Sequence, residues 1–549
     1  MKIVTMKIWV RRAPAVACAA VACGVALSSC GISLADNGAG AVARQFAAAL
    51  ERQDASAAAA FTTAPGQAGD ALTSTLQAMH PEKVDVAVHR PVEYSDGTAS
   101  FSLTTTYSWP EGRTFETTSN GTARHLSSGW KVSWEPSIIY PGLPVGGQLR
   151  QIRTDATPSP SVRSRSGKTF MYLQPVNEIV LDPTRTTDVG RSTRALARSL
   201  APIAPLITSD VIAAKLSKSE GRAITAVTLR DSDMEVLTSS PSAVPGVTVR
   251  KAGKLVMADR RLMSPLETGL TNYWQAIRDA TSGWQVQMTA PGLVPRKLTG
   301  AQGPAGPNVR TTVDQGMQLT LGDAAVEVGQ PATILAFDAG TGAVLGMAQN
   351  SYAVDRGINI DDAYPAGSTL TPVFSTVERV ANEQKQSSAE LLDRLGLGVQ
   401  FTVPGASAPT AKRPGVQTVD FRPGDLNVSM LNMGALGVAL SRSVSGTMSS
   451  VAPYVIDGVP TKVAGGSLGE LDRSMTAPIL KAMSATAKNG DASDLTRAPG
   501  LRALVGTNGP QGPGWFVGLQ DRKVIVVYCE GEKSGTAALQ VAQKYFRIR

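Results

Sequence analysis

The sequence predicts an α+β chain of several domains, and three features of its patterning point there. An Ala-rich stretch with helical spacing precedes runs of period-two alternation. A mixed segment follows a Pro/Ser/Arg-rich linker. The last part combines helical spacing with short, wholly apolar runs. For 549 residues of ordinary apolar content, roughly two to four domains are expected.

The first element is a targeting segment. Lys2, Lys7, Arg11 and Arg12 precede the apolar run "APAVACAAVACGVAL" (13–27), which suits a signal peptide and is short for a membrane span. "LSSC", Leu27 to Cys30, is the small-residue cleavage pattern of a bacterial lipoprotein. The expected product is a chain lipidated on Cys30 and anchored to the extracytoplasmic face of the cell membrane. Cys18 and Cys23 leave with residues 1–29, so Cys529 is the one remaining thiol and no disulfide framework is expected. Loss of those four cations lowers the net charge from +9 to +5. That charge is spread along the chain without a Lys/Arg run, so nucleic acid is not an expected partner.

Residues 41–79 carry helical spacing with a break at Pro65-Gly66. Alternating runs follow, "KVDVAVHRPVEY", "TASFSLTTTYSW", "TFETTSNGTARHL" and "GWKVSWEPSIIYPGL", and read as an antiparallel sheet. The expected domain is 30–150. His80, His89 and His125 all fall here at spacings that match no ligand pattern, so neither a metal nor another cofactor is expected. Residues 151–168 read as a linker. From 169 to 309, "NEIVLDP" reads as a strand and "TRALARSLAPIAPL" as a helix, while "AITAVTLRDSDMEVL" and "GVTVRKAGKLV" look extended. Nothing in it offers convergent catalytic groups.

The segment 310–549 opens with helical spacing over Gln315 to Val326, then the strands "TILAF" and "AVLGMA" around Asp338-Ala339-Gly340-Thr341-Gly342. Because a strand follows Gly342 and no helix does, the Gly-x-Gly reads as a hairpin turn rather than a phosphate loop. Next comes "YPAGST", with Ser368, and near the end "RALVGTNGPQGPGWFVGLQDRKVIVVYCEGE".

These residues carry a resemblance in three successive parts. The first domain, with "W-K-V-x-W-x-P-S" (Trp130 to Ser137), resembles the nuclear-transport-factor-2-like (NTF2-like) domain at the front of some penicillin-binding proteins. The middle resembles the pedestal, or dimerisation-type, domain of class B penicillin-binding proteins. The order Thr-Thr-x-Asp, hairpin, "YPAGST" resembles their serine transpeptidase, β-lactamase-like domain, an antiparallel sheet with helices on both faces. The resemblance implies a D,D-transpeptidase, in which a serine attacks a D-Ala-D-Ala amide while the lysine three residues on takes its proton.

The same resemblance exposes what is missing. Ser368 occupies the nucleophile position, but Thr371 stands where the lysine should, and a threonine hydroxyl cannot accept a proton near neutral pH. The Ser-x-Asn helix is expected to be deleted, since "PVFSTVERVANEQKQSSAEL" runs directly into "LDRLGLGVQFTVPG"; Ser387-Ser388-Ala389 reads as a polar surface stretch, the alternative being a remnant of the motif with alanine in the asparagine place. Val505-Gly506-Thr507 stands for Lys-Thr-Gly, with valine in place of the cation, and alternation turns Arg502 to the face opposite Val505. Lys533-Ser534-Gly535-Thr536 imitates the motif but falls at the start of the terminal helix, where Ser534 reads as a cap.

The resulting expectation is a pseudo-transpeptidase that docks cell-wall synthesis proteins or a peptidoglycan stem peptide and is not acylated by β-lactams. Ser368 would cap its own helix. An active transpeptidase with an unusual base (Lys385, Lys412, Lys462 or Lys481) and a purely structural envelope lipoprotein are the alternatives.

Overall fold

The computed structural model describes residues 38–406, 426–507, 509 and 512–548. The signal segment with Cys30, and Lys412, lie outside the described residues. The described residues form two compact units: 38–152 together with Gln285–Gly300, and Arg153–Trp284 together with the described residues from Ala301. No helix among the described residues is long and apolar enough to cross a membrane.

In the first unit, helices Ala39–Glu51, Ala55–Ala60 and Pro65–Met79 accompany a four-stranded antiparallel sheet. The strands Lys83–Glu93, Thr98–Trp109, Arg113–Leu126 and Gly129–Val132 pair in chain order. Thr98–Trp109 alternates strictly between half-buried and buried positions, the mark of a sheet with one face on the core. Gly121 sits opposite Phe101, whose ring occupies the space a β-carbon would need. Pro65 starts the third helix, where its missing N–H costs nothing; the chain breaks instead at 52–54 and 61–64. His80 ends that helix in the left-handed conformation, and His125 meets Trp130 edge-on at 5.3 Å. Residues 285–300, expected in the middle segment, belong to this unit, where Arg150 donates to the Gln287 side chain.

The second unit differs from the expected linker and domain divisions in two ways. Residues 151–168 are no free linker, because Val162–Arg163 pairs with both Val309–Arg310 and Thr169–Leu181. The boundary at 309/310 has no counterpart in the packing either. Phe170, Met171, Leu266, Leu270 and Trp274 share one apolar core with Phe337, Leu436 and Trp515. Thr169–Leu181 is the central strand of its sheet, flanked by Ile224–Arg230 and Val247–Met257. The run read as extended after Arg230 turns into a short helix, Asp231–Glu235.

The C-terminal sheet is antiparallel, in the order Val344–Gln349, Ala332–Asp338, Lys523–Cys529, Gly514–Gln520, Arg502–Thr507. Its inner strands are buried on both faces, which is why they read as unbroken apolar runs. Ile525, Val527 and Cys529 face a layer containing helices Gln315–Ala325 and Ser534–Ile548. Val524, Val526 and Tyr528 face the core that includes Met430–Val444 and Arg473–Asn489. Gly434 and Gly437, one turn apart, let the helix Met430–Val444 press onto the Phe337 ring and the Val524 side chain. The 338–342 turn is a hairpin, with Asp338 accepting from the N–H groups of Gly340 and Thr341.

Candidate functional site

Ser368 lies in a short 3-10 turn, Gly367–Leu370, that runs into the helix Thr371–Gln384. Gly367 takes φ +55°, a left-handed value that glycine adopts without strain. An aromatic clamp fixes the approach to this turn. Trp515 donates through its indole N–H to the Pro365 carbonyl at 3.0 Å, and Tyr528 packs on both Trp515 and Tyr364, with ring centres 4.7 and 4.5 Å away. The Tyr364 hydroxyl accepts from Asn359 N–H and donates to the Asn359 carbonyl; burial pushes its pKa up to about 12. These groups are positioning groups, and none faces Ser368 as a base.

The hydroxyl of Ser368 is engaged on both sides by one residue. It donates to the Thr507 carbonyl at 3.1 Å and accepts from the Thr507 N–H at 3.0 Å. The edge strand Arg502–Thr507 can come this close because Gly506 has no side chain. A β-carbon there would lie 2.7 Å from Ser368 Oγ and 2.6 Å from Thr369 Cα. The strand and the serine turn are therefore in van der Waals contact at Gly506, while Ser368 itself stays exposed.

Thr371 keeps the expected relation to Ser368 in the backbone only: its N–H bonds to the Ser368 carbonyl, while its side chain is exposed and makes no bond to Ser368. Lys385, Lys462 and Lys481 are exposed on other elements, and none forms a hydrogen bond or ion pair with Ser368. Ser387 and Ser388 begin a short helix, Ser388–Arg394, directly after the serine helix.

Three expectations are corrected here. Ser368 does not cap its helix, whose N-terminus has no side-chain cap; its hydroxyl crosses to Thr507 instead. Val505 does not face Ser368: it packs with the layer of the terminal helix, as does Thr507, whose methyl group lies where a β-carbon on Gly535 would go. Alternation puts Arg502, Leu504 and Gly506 on the serine face, where Leu504 is buried and Arg502 is four residues, roughly 13 Å, from Gly506. Finally, Ser534 does start the terminal helix, yet its buried hydroxyl donates to the Gly512 carbonyl and so ties the helix to the preceding loop rather than capping it.

One pairing escaped the sequence reading. Ser429 and Asn432 form a capping box at the start of the buried helix Met430–Val444, and Asn432 also donates to the carbonyls of Gly396 and Val399. A Ser-x-x-Asn just before an apolar run is the available signal. Both side chains are buried and satisfied, which makes them structural. Among the described residues, no group of His, Cys, Asp and Glu could hold a metal ion.

A family model described as an NTF2-like N-terminal transpeptidase domain matches residues 38–146. The N-terminal domain is NTF2-like, of the kind that precedes a transpeptidase, and this agrees with a penicillin-binding type of protein. No curated protein matches the chain.

Proposed function

We propose that this chain is a cell-envelope lipoprotein of the penicillin-binding type. Its C-terminal domain is a pseudo-transpeptidase that binds or scaffolds peptidoglycan-synthesis proteins, or a stem peptide, and does not turn over. One observation carries the reading: the Ser368 hydroxyl donates to the Thr507 carbonyl and accepts from the Thr507 N–H, and among the described residues no lysine bonds to it. A serine in acyl transfer needs a neighbouring base for its proton and donors aimed at the developing oxyanion. Here the hydroxyl proton points to a carbonyl oxygen, which is not a base at neutral pH, and the nearest N–H is already occupied by Ser368 Oγ itself.

The absent base alone costs about 10² to 10⁴ in rate. Turning the hydroxyl toward a substrate would break its bond to the Thr507 carbonyl and add to that barrier. Fluorescent penicillin therefore leaves the protein unlabelled at concentrations that saturate an ordinary penicillin-binding enzyme. Stoichiometric labelling that disappears in Ser368→Ala would overturn this reading in favour of an active D,D-transpeptidase.

A further inference from the structure

A polar cleft of about 620 Å³ lies in the second unit, at the junction of the 161–168 hairpin, the strand Val309–Arg310, the 338–343 turn and the loop 454–457. Its volume suits a small-molecule ligand. Three arginines are among its lining residues, Arg163, Arg165 and Arg310, against one lining acid, Asp457.

Arg163 and Arg310 are direct register partners on two parallel strands, so their Cα atoms are neighbours at about 4.8 Å. Like charges placed directly opposite one another destabilise a sheet unless something lies between them. The protein supplies little to offset them. Arg163 donates to the neutral Thr169 hydroxyl, and Arg310 has no ion pair among the described residues. The acid nearest Arg165 is Asp338, 3.8 Å away, and its other carboxylate oxygen already accepts three hydrogen bonds from its own turn. Three arginines thus line one cleft: Arg163 and Arg165 are each partly engaged, by Thr169 and Asp338, and Arg310 forms no ion pair among the described residues.

We propose that this cleft binds the phosphoryl group of a sugar or polyol phosphate. Paired guanidinium groups match the oxygens of a doubly charged anion bidentately, and more tightly than they match a singly charged one. The remaining volume exceeds what a bare anion fills. Its walls are hydroxyl and amide groups with one aromatic ring, Tyr454, which suits a hydroxylated body rather than an apolar one. This site is separate from the Ser368 corner and stands or falls independently of the pseudo-transpeptidase reading.

Calorimetric titration of the full chain in about 50 mM salt, where screening is weak, tests it with glucose 1-phosphate, glucose and citrate. The expected result is tenfold or greater preference for glucose 1-phosphate over both glucose and citrate. Arg310→Gln should weaken binding at least fivefold, and Arg165→Gln with Arg310→Gln should abolish it. Both side chains are exposed, so neither change should lower the unfolding midpoint. Asp457→Asn, which removes the opposing charge from the same cleft, should tighten binding. Equal binding of glucose, tighter binding of citrate, or unchanged affinity in the arginine variants would overturn the proposal, as would weaker binding by Asp457→Asn.

Discussion

Gly506→Ala is the sharpest probe of the closed serine corner. The new β-carbon would stand 2.7 Å from Ser368 Oγ and 2.6 Å from Thr369 Cα, with the Thr369 nitrogen closer still. Ordinary contact at such atoms begins near 3.4 Å, so the strand must retreat by roughly 1 Å. Overpacking of this kind costs about 1–3 kcal/mol. The retreat also lengthens the two bonds between Ser368 and Thr507, each worth about 0.5–1.5 kcal/mol, although water can replace them where Ser368 is exposed. The expected loss is therefore about 2–4 kcal/mol for the second unit. Urea unfolding followed by circular dichroism and tryptophan fluorescence reads it as a lower midpoint at unchanged slope. Ser368→Ala, which removes the two bonds without adding an atom, should lose only about 1 kcal/mol. Adding it to Gly506→Ala should not rescue the double variant, because the closest atoms belong to the Thr369 backbone. A Gly506→Ala stability within about 0.5 kcal/mol of wild type would refute the contact between strand and serine turn.

Three more outcomes are expected. Pro478 inside the helix Arg473–Asn489 frees the Ser474 carbonyl, which accepts from Arg379 of the serine helix at 2.9 Å; Arg379→Ala should cost about 1 kcal/mol in urea unfolding, and clearly less in a Pro478→Ala background. The Arg278 guanidinium, hydrogen-bonded to Asp155, holds that carboxyl below its ordinary range. A depressed folded-state pKa adds stability that is present above about pH 4 and lost as pH falls through the lower folded value. The stability difference between wild type and Asp155→Asn should therefore be small, given the exposure of the pair, and should shrink as pH falls below about 4 in unfolding curves. Mass spectrometry of the mature protein should find a diacylated Cys30 as its first residue, and Cys30→Ala should release the protein from membranes; an unmodified amino terminus elsewhere would count against the anchor.

Much of the secondary structure was legible in the sequence because it rests on local periodicity. Strict alternation in Thr98–Trp109 and the apolar runs "GWFVGLQ" and "KVIVVYC" each reflect the faces that a strand buries, a property of neighbours in the chain. The identity of the residues at the serine corner was legible too, since motif spacing places Ser368 and Thr371 one turn apart without any structure. Orientation was not. Which face of Arg502–Thr507 meets the serine depends on a strand register that long-range pairing with Gly514–Gln520 decides, and a shift of one residue exchanges Val505 for Gly506. The partner of the Ser368 hydroxyl lies 139 residues away, and the three arginines of the polar cleft come from two segments roughly 150 residues apart. The compact units likewise followed packing rather than composition, because a Pro/Ser-rich stretch can join a sheet when a distant strand, Val309–Arg310, is brought beside it. Side-chain type and periodicity are written residue by residue; closeness between distant segments exists only after the core has formed.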